Sequence, residues 1–551
     1  MKLNRFLCLS LLFFGVSQVQ AQDNGYESLA KMFAQTGPTG SARFIGIGGQ
    51  YSSLGGDVSS ISGNPAGLGF YTRSEFSFSP GVSLGATSST FGGGSATTSS
   101  VSNFNLANLS IVFAGNEPQY KGAWRGSFGI GYTRNSSLGN SVAFSGNSGS
   151  SITDSFAERA TSEQISPDDL QDGLFIDAPN YYYSSDAYYW SFLLQPRIGT
   201  SPLQFDGVEA TKLAPTQNYL FSSTGRTSQW TLSYGGTANE KLYLGFSLGI
   251  PSFSYETKST LKENVTNYDA ISSVEYSKIL STSGSGLNLT GGFVYRPNET
   301  IRFGGSITTP TWYSVDGTYS SSVLTTIDAS KIGGIPLSNY FATTQTNILS
   351  KLSNLGYGIV QKNGAYYATK APRVNIAENV ENYNMTNPFK ANLGASIFFG
   401  KKGFISADAE YVNYRGIRFY TDMDDQGLIS NLKGAEAEVK SIYQNVWNLK
   451  LGGEFRATQH VSLRAGYGYY GSPYNETKIF SGSSKPNVNL GTQSLSAGIG
   501  YKNNSFHLDL GFVHSTTDQI YTPYFLNDNS QASTIIKKTQ DNIVASVGIY
   551  F

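Results

Sequence analysis

Repeated segments of this chain alternate apolar residues with glycine or polar residues, and this alternation restricts its possible folds more than any other feature. A period of two places successive side chains on opposite faces of a β-strand. In the segment 241–250, one face carries Leu242, Leu244, Phe246, Leu248 and Ile250, and the other carries Tyr243, Gly245, Ser247 and Gly249. By this criterion we predict about fourteen strands, near residues 75–85, 104–114, 123–134, 226–235, 240–250, 286–296, 299–310, 387–399, 402–414, 444–456, 459–470, 492–502, 504–514 and 541–551.

The segments between the predicted strands fall into two classes that alternate along the chain. Short segments follow the even-numbered strands and lie at 115–122, 236–239, 297–298, 400–401, 457–458 and 503. Long segments follow the odd-numbered strands and lie at 86–103, 135–225, 251–285, 311–386, 415–443, 471–491 and 515–540. Short turns at one end and long extracellular loops at the other are typical of an even-stranded membrane barrel with both termini in the periplasm. A soluble β-sandwich, the alternative all-β fold, has no reason to sort its loops in this way.

The composition agrees with a membrane barrel. Charged residues make up 14% of the chain, compared with roughly 25% in soluble globular proteins. The 38 basic and 38 acidic residues balance, which argues against a nucleic-acid-binding protein. We therefore predict an all-β fold, a closed antiparallel transmembrane β-barrel of about fourteen strands, in the outer membrane of a Gram-negative bacterium.

Residues 1–21 have the features of a secretory signal peptide, with a positively charged start, an apolar run at 6–16 and a small-residue cleavage site before Gln22. Cys8 lies within this segment, so we expect no cysteine in the mature chain, and hence no disulfide or thiolate metal site. No later apolar stretch reaches the ~18 residues of a membrane-spanning helix.

The C-terminal strand ends on an aromatic residue. Its alternate residues Ile543, Ala545, Val547, Ile549 and Phe551 share one face. A final strand of this kind resembles the signal by which bacterial barrels are delivered to their assembly machinery. We therefore expect that machinery and outer-membrane lipid to be partners of this chain.

Charges are absent from the strand faces that we assign to lipid, where a Lys or Arg near the bilayer centre would cost roughly 2–4 kcal/mol. The opposite faces carry Arg125, Arg302, Lys390, Asp408, Glu410, Lys450, Glu454, Arg456, Arg464 and Asp509. These residues could form a polar site inside the barrel. The alternative, which we prefer for most of them, is a set of ion pairs that hold the wall and its contents.

The segment 22–73 precedes the barrel, which we place at 74–551, and is too long for a simple lead-in. Residues 26–33 could form a short amphipathic helix, and the stretch that follows is rich in Gly and Ser. Asn64-Pro65 favours a turn. Because an empty barrel of this size would leave an aqueous channel, we predict that this segment forms a hatch inside the lumen.

This segment resembles the hatch of the FadL/TodX-type outer-membrane transporters of hydrophobic compounds. The resemblance is carried by Ala42-Arg43, Gly46, Gly48-Gly49, Asp57, Ser59, Ser60 and Asn64-Pro65-Ala66-Gly67-Leu68. The strand 301–309, followed by Pro310-Thr311, is similar to a second segment of that family. Gly55-Gly56 and Gln50 depart from the family pattern, which leaves the ligand open.

The resemblance implies a mechanism as well as a fold. It implies a fourteen-stranded barrel whose ligand, such as a long-chain fatty acid or an aromatic hydrocarbon, lands between extracellular loops and enters a pocket. The hatch then rearranges near the turn Asn64, Pro65, Ala66 and Gly67. The ligand leaves sideways into the membrane beside a kinked third strand.

Two groups of residues could serve this route. Aromatic residues of the loop 135–225 could wall a landing groove, although loop packing or an interfacial girdle explains them equally well: Tyr181, Tyr182, Tyr183, Tyr188, Tyr189 and Trp190. Gly126, Gly129 and Gly131 of the third strand could mark a lateral opening. The general abundance of glycine in these strands is the alternative.

Other functions are open to such a barrel. The protein could be a binding or scaffold protein, or one associated with protein secretion, since its loops are long and rich in Ser, Thr and Asn. It could also be a nonspecific porin, which would need an empty lumen. His507 and Asp509 share a strand face, but no nucleophile motif accompanies them, nor does His460 or His514 have metal-ligand spacing. We therefore expect no enzymatic activity and no cofactor.

Overall fold

The computed structural model describes most of the chain after residue 24. The described residues are 25–35, 37–49, 52–115, 123–166, 169–171, 180–181, 184–197, 204–207, 215–265, 270–330, 333–341, 345–479 and 487–551. The predicted signal peptide lies outside them. In this part of the chain, the helices are too short or too polar to cross a membrane.

The described residues form twenty-four strands and seven α-helices. The strands are β1 Glu75–Thr90, β2 Thr97–Ala114, β3 Arg125–Ser137, β4 Asn140–Asn147, β5 Asn180–Tyr181, β6 Leu194–Arg197, β7 Gln204–Gly207, β8 Thr216–Thr237, β9 Leu242–Asn264, β10 Ile271–Tyr295, β11 Ile301–Thr308, β12 Trp312–Ile327, β13 Ile335–Pro336, β14 Gly358–Lys362, β15 Ala365–Lys370, β16 Val374–Thr386, β17 Lys390–Phe398, β18 Gly403–Val412, β19 Arg418–Tyr420, β20 Val446–Arg456, β21 Val461–Tyr470, β22 Thr492–Lys502, β23 Phe506–Tyr521 and β24 Thr534–Tyr550. The helices are α1 Tyr26–Ala34, α2 Ala42–Gly46, α3 Ile152–Glu163, α4 Ser184–Trp190, α5 Thr346–Asn354, α6 Gln426–Ile442 and α7 Glu476–Ile479.

The wall is a closed antiparallel barrel. Its described strands make fourteen passes, because β3 continues as β4, β11 as β12 and β16 as β17. The last strand pairs with the first from Glu75↔Tyr550 to Thr90↔Ile535, which closes the sheet and leaves no free edge at this seam. The predicted fold class is confirmed. Each predicted strand overlaps one pass, and several passes extend further at the loop end than predicted.

The outward side chains of a long strand change from apolar to polar toward the loop end, as β9 shows. On β9, Leu242, Leu244, Phe246 and Ile250 are exposed, as expected of side chains that face lipid. Beyond Ile250 the outward residues are Ser252, Ser254, Glu256 and Lys258, while the inward Phe253 and Tyr255 are buried. The outer edge of the lipid belt therefore lies near Ile250, and above it the apolar residues face inward because water lies outside.

The long loops build a compact structure on the loop end of the barrel. Helices α3, α4 and α5 and the small sheet β13-β15-β14 pack around one hydrophobic core, which includes Phe156, Tyr188, Trp190, Tyr340 and Leu352. We call this the loop domain. A second core joins α6 to α1 and to the upper ends of the wall strands.

The N-terminal segment lies inside the barrel and runs from the loop end to the turn end. The ring of Tyr26 packs edge-on against Tyr383 of β16, with 5.0 Å between ring centroids. Phe551 lies at the turn end, where its N–H donates to the Ser74 carbonyl at 3.0 Å. The first described residues therefore lie in the upper lumen and the C-terminus lies at the turn end, while the placement of both termini in the periplasm stays a prediction. The apolar face of α1 is buried in the upper lumen, as the stacking of Phe33 on Phe253 at 3.8 Å shows.

Candidate functional site

Residues 41–49 and 52–70, which we call the hatch floor, lie across the lower lumen. Their backbone lies directly against the inner wall at several wall glycines. A Cβ atom at any of these positions would overlap hatch backbone: Gly235 and Gly245 at Pro65, Gly304 at Ser52, Gly452 and Gly466 at Ile47, and Gly511 at Ala42. Gly498 also faces hatch backbone, since its Cβ would be 3.1 Å from the Gly46 Cα. We call these wall glycines the glycine ring, because on strands around the barrel they let the hatch backbone approach too closely for a side chain to fit between.

The predicted gating turn joins this floor to the wall. The side-chain amide of Asn64 donates to the Ser52 carbonyl at 2.6 Å and to the Phe293 carbonyl of β10 at 3.0 Å, and its oxygen accepts from the Ala66 N–H. Pro65 opens the 3₁₀ turn Pro65–Phe70. The departure from the family pattern at Gly55 has a steric reason, since a Cβ there would lie 3.0 Å from the Cα of Gly67.

A chain of buried charges fixes the hatch helix α2 to the wall. Arg43 binds Glu454 at 3.0 Å, Glu454 binds Arg464 at 2.8 Å, Arg464 binds Asp509 at 2.6 Å, Asp509 binds His507 at 2.6 Å, and His507 binds Glu75 at 3.0 Å. This network crosses from the hatch to β20, β21, β23 and β1. Both ring nitrogens of His507 are therefore occupied by carboxylates, and its role here is that of a link between ion pairs.

All but one of the other predicted lumen charges also meet the wall or the hatch. Asp408 accepts from the Ser52 N–H at 2.9 Å, Lys450 pairs with Glu410 at 3.7 Å beside Lys390, and Arg125 donates to the Tyr71 carbonyl at 2.7 Å. The Arg302 guanidinium lies over the rings of Phe70 and Phe398, at 4.6 and 4.1 Å. Arg456 is exposed at the turn end.

A cavity of about 210 Å³ lies above the hatch floor, and we call it the chamber. Ile45 and Gly40 belong to its lower boundary, and α1 reaches it from above through Lys31. The wall contributes polar and basic residues, including Asn105, Arg134, Asn448, Lys538 and Gln540. The chamber is thus enclosed by hatch and wall together.

The wall is discontinuous beside the chamber. The β2–β3 ladder runs from Ala114↔Ser127 to Asn108↔Thr133 and then stops. On its other side β3 stays paired with β8, with a register irregularity between Arg134 and Ser136. Above that level, β4 crosses the inner face of β1, where the Thr87 hydroxyl donates to the Ser141 carbonyl at 2.6 Å. Asn105, Ala107 and residues 134–137 line the chamber. We call the break between these two edges the β2–β3 gap.

The predicted opening at Gly126, Gly129 and Gly131 is wrong in position. All three lie within the intact part of β3, which is paired with β2 or β8 on either side. A Cβ on Gly129 would lie 2.8 Å from the side chain of Ile61, and Gly131 faces the same residue. Two of these glycines therefore make room for the hatch, and the break begins at Arg134.

The predicted landing groove is also wrong for the aromatic residues of α4. Tyr188, Tyr189 and Trp190 are at most 2% exposed and lie in the core of the loop domain. Tyr188 stacks on Phe156 at 3.8 Å, and the Trp190 indole donates to the Leu170 carbonyl at 2.8 Å. Loop packing, the alternative interpretation, accounts for them. Tyr182, Tyr183 and the side chain of Tyr181 lie outside the described residues.

Sequence reasoning missed the chamber and the glycine ring. Lys538 belonged to a predicted loop, because the sequence pattern placed the last strand at 541–551. The ring has a recognisable signal, an inward-facing glycine near the middle of most strands. Gly245, Gly394, Gly452 and Gly466 each occupy that position.

A closed barrel with an apolar outer belt and an N-terminal hatch in its lumen has the architecture of a plugged outer-membrane protein. No protein-family model and no curated protein matches the chain. Among solved structures, it is similar to a FadL homologue of Pseudomonas aeruginosa, with 12% identity, a TM-score of 0.53, and coverage of 93% of this chain and 99% of that chain. At that identity the likeness establishes the fold.

Two further structures have lower TM-scores. The toluene transporter TodX of P. putida matches with 13% identity and a TM-score of 0.48, and the toluene transporter TbuX of Ralstonia pickettii with 14% identity and a TM-score of 0.42. Each alignment covers 93% of this chain and 99% of the other chain. The likeness to the P. aeruginosa FadL homologue is the one that establishes the FadL-type fold, as the hatch motif predicts.

Proposed function

We propose that this protein moves hydrophobic small molecules, such as long-chain fatty acids, through the outer membrane of a Gram-negative bacterium. One observation carries the proposal: the hatch floor packs directly against the wall across the lower lumen, whereas the β2–β3 ladder is interrupted beside the chamber. A water-soluble solute gains nothing from such a path. An apolar ligand gains by burial in the chamber and again on entering lipid.

The proposed route passes from the loop domain to the chamber and out through the β2–β3 gap. The floor is held by the glycine ring and by the Arg43–Glu454 pair, so its displacement as one body would break many contacts at once. Smaller movements near Asn64 and Pro65, or of α1 above the chamber, disturb fewer contacts. We infer that these segments rearrange while the floor stays seated.

A cross-linking experiment tests the route. The predicted mature chain has no cysteine, so Ala107→Cys with Ser136→Cys places one thiol on each edge of the gap. Joining them with a bismaleimide should reduce cellular uptake of labelled oleate about tenfold relative to the same variant before cross-linking.

The matched control joins Asn108→Cys to Thr133→Cys, the last pair of the intact ladder. Cross-linking there should leave oleate uptake unchanged. Equal uptake before and after closure of the gap would refute lateral release.

A binding or scaffold function is the second candidate, because the loop domain has its own core and presents a separate surface. It predicts that gently solubilised protein carries no co-extracted lipid or fatty acid, whereas the transport proposal predicts bound amphiphile. Mass spectrometry of the purified protein separates the two. A nonspecific porin would admit small sugars in a liposome-swelling assay, which the sealed floor disfavours.

A further inference from the structure

The lipid-facing side of the wall carries a groove of about 750 Å³, a volume within the roughly 300–1,000 Å³ of small-molecule sites. Its floor consists of Ala395 on β17 and of Ala407 and Ala409 on β18. Ala395 pairs with Ala407, so the floor spans two neighbouring strands. These small side chains leave a depression in a belt that elsewhere presents large apolar residues.

Large apolar side chains form the two rims of the groove. Phe303 of β11 lies beside Ala395 on one side, and Leu451 of β20 lies beside Ala407 on the other. Tyr467 of β21 extends the second rim, and all three rim side chains are exposed. Three strand spacings, ~14 Å, separate the backbones of β11 and β20. The space between the rim side chains therefore suits a narrow and flexible apolar chain.

Aromatic side chains mark the edge of the lipid belt directly above the groove. Tyr411 of β18 and Trp447 of β20 are paired in register, and their ring centroids lie 5.2 Å apart. The Trp447 side chain is exposed. Tyrosine and tryptophan in such positions lie at the boundary between membrane and water. The groove therefore extends to the level of the lipid head groups at the loop end of the barrel.

Two exposed arginines lie just above these aromatic residues. Arg415 follows Tyr411 by four residues, and its N–H donates to the side-chain oxygen of Asn445, at the start of β20, at 3.2 Å. Arg418 begins β19 and points outward, since its neighbour Phe419 is buried. The Arg418 guanidinium donates to the Arg415 carbonyl at 3.1 Å, which holds the two residues together.

The positive charge of this arginine pair is not balanced within the described part of the chain. Arg418 donates to main-chain carbonyls, those of Arg415 and Ile417, and no described carboxylate pairs with either guanidinium. Asp422 lies further from the belt, where it accepts from the Asn384 amide at 3.2 Å. Two adjacent guanidinium groups repel each other and favour a shared anion, and their planar donor sets match phosphate oxygens.

We propose that the groove and the arginine pair together bind one phosphorylated glycolipid of the outer leaflet. An acyl chain lies between the rims, and a head-group phosphate lies on Arg415 and Arg418. Such a lipid fits both ends of the site, because it carries phosphate on a sugar at the level of the aromatic residues and acyl chains below them. The inference goes beyond the proposed transport and does not depend on it, since this site lies on the outside of the wall and the chamber lies within the barrel.

Binding of defined lipids to the full-length processed protein tests the site. The protein is delipidated in a mild detergent, and native mass spectrometry measures its affinity for diphosphorylated lipid A, phosphate-free lipid A and phosphatidylglycerol. We expect diphosphorylated lipid A to bind about tenfold more tightly than either of the others. Inorganic phosphate in excess should displace it poorly, because phosphate alone gains nothing from the groove.

Variants test the two halves of the site separately. Arg415→Gln combined with Arg418→Gln should weaken binding of diphosphorylated lipid A about tenfold and leave the phosphate-free form unchanged. Arg415→Lys combined with Arg418→Lys keeps the charge and should retain most of the affinity. Ala407→Phe fills the floor of the groove and should weaken both forms of lipid A several-fold.

Matched control variants lie elsewhere on the outer face. Arg226→Gln removes an exposed arginine that lies four residues above the outward Trp230 of β8. Ala545→Phe enlarges an exposed alanine of β24 that lies between the outward Ile543 and Val547. Neither change should alter the affinity for any of the three lipids.

Three results would overturn the proposal. The first is equal affinity of the wild-type protein for the phosphorylated and phosphate-free forms of lipid A. The second is an affinity for phosphatidylglycerol as high as that for diphosphorylated lipid A. The third is a loss of lipid A binding in the control variants as large as that in the site variants. Heat-modifiable gel mobility shows that each variant barrel is folded.

Discussion

The side-chain amide of Asn64 donates a hydrogen bond to the main-chain carbonyl of Phe293, at 3.0 Å, and so attaches the hatch turn to the inner face of β10. The same amide reaches the Ser52 carbonyl at 2.6 Å. This one side chain therefore joins two parts of the hatch to each other and joins the hatch to the wall. Its loss would release the turn without touching the barrel ladder.

We expect Asn64→Ala to reduce oleate uptake several-fold, because two buried carbonyls lose their donor at a cost of about 1–3 kcal/mol each. Barrel stability, measured as the temperature at which heat-modifiable gel mobility is lost, should change little. Asn379→Ala, at an exposed amide of the loop end, is the control. Unchanged uptake in Asn64→Ala would remove the gating role of this turn.

A side chain at the glycine ring should unseat the floor. Gly304→Val places methyl groups where the Ser52 backbone lies, so the hatch must shift. We expect greater sensitivity of cells to large antibiotics, or loss of folded barrel. Gly291→Val is the matched control, since Gly291 lies on the outer face and a Cβ there would meet nothing within 4 Å. An equal effect of the two variants would show that valine in the strand, rather than contact with the hatch, is responsible.

Removal of one member of the buried charge network should be destabilising. Arg464→Met leaves Glu454 and Asp509 without their shared cation. Breaking a buried pair in this way costs about 3–5 kcal/mol, which should appear in urea unfolding. Arg456→Met, at an exposed arginine near the turn end, should change the free energy of unfolding by less than about 0.5 kcal/mol.

Glu263 makes the loop domain sensitive to pH. It is fully buried above the lipid belt, where its carboxylate accepts from the Ile152 N–H at 2.8 Å and from the Gln217 amide at 2.6 Å. Burial is the main cause that raises the pKa of Glu263 to about 7, and Asp154 adds to it.

Because the folded-state pKa lies above the ordinary value, the folded loop domain holds this proton more tightly than the unfolded chain does. Stability should therefore be greatest below about pH 4.5 and should fall as the pH rises through 7. Resistance of the loops to limited proteolysis between pH 5 and 8 measures this. Glu263→Gln should flatten the profile, and a profile identical to that of the wild type would exclude Glu263 as its cause.

The sequence was sufficient for the membrane-spanning part of the wall, because lipid outside and a polar lumen inside impose the same alternation on every strand. The sequence was insufficient above the lipid belt, because there the apolar residues face inward and the polar residues face outward. Phe253 and Tyr255 point inward there, and Ser252 and Glu256 point outward. A search for outward apolar residues therefore ends several strands too early, as it did for β9.

The candidate site was only partly predictable for a related reason. The turn at Asn64 and Pro65 carries a local signature. The chamber does not, because Lys31 and Lys538 are separated by most of the chain and meet only when the barrel closes around the hatch. The aromatic residues Tyr188 to Trp190 look alike in sequence whether they pack inward or face a ligand, and only the burial of α4 distinguishes the two.

The ring of glycines has a consequence for biogenesis. It leaves too little clearance for a folded hatch to be threaded into a finished cylinder. The hatch must therefore already be in position when β24 pairs with β1. That last pairing closes the barrel around a hatch that has already folded. Variants that delay hatch folding should therefore trap the protein as an unsealed sheet on its way into the bilayer.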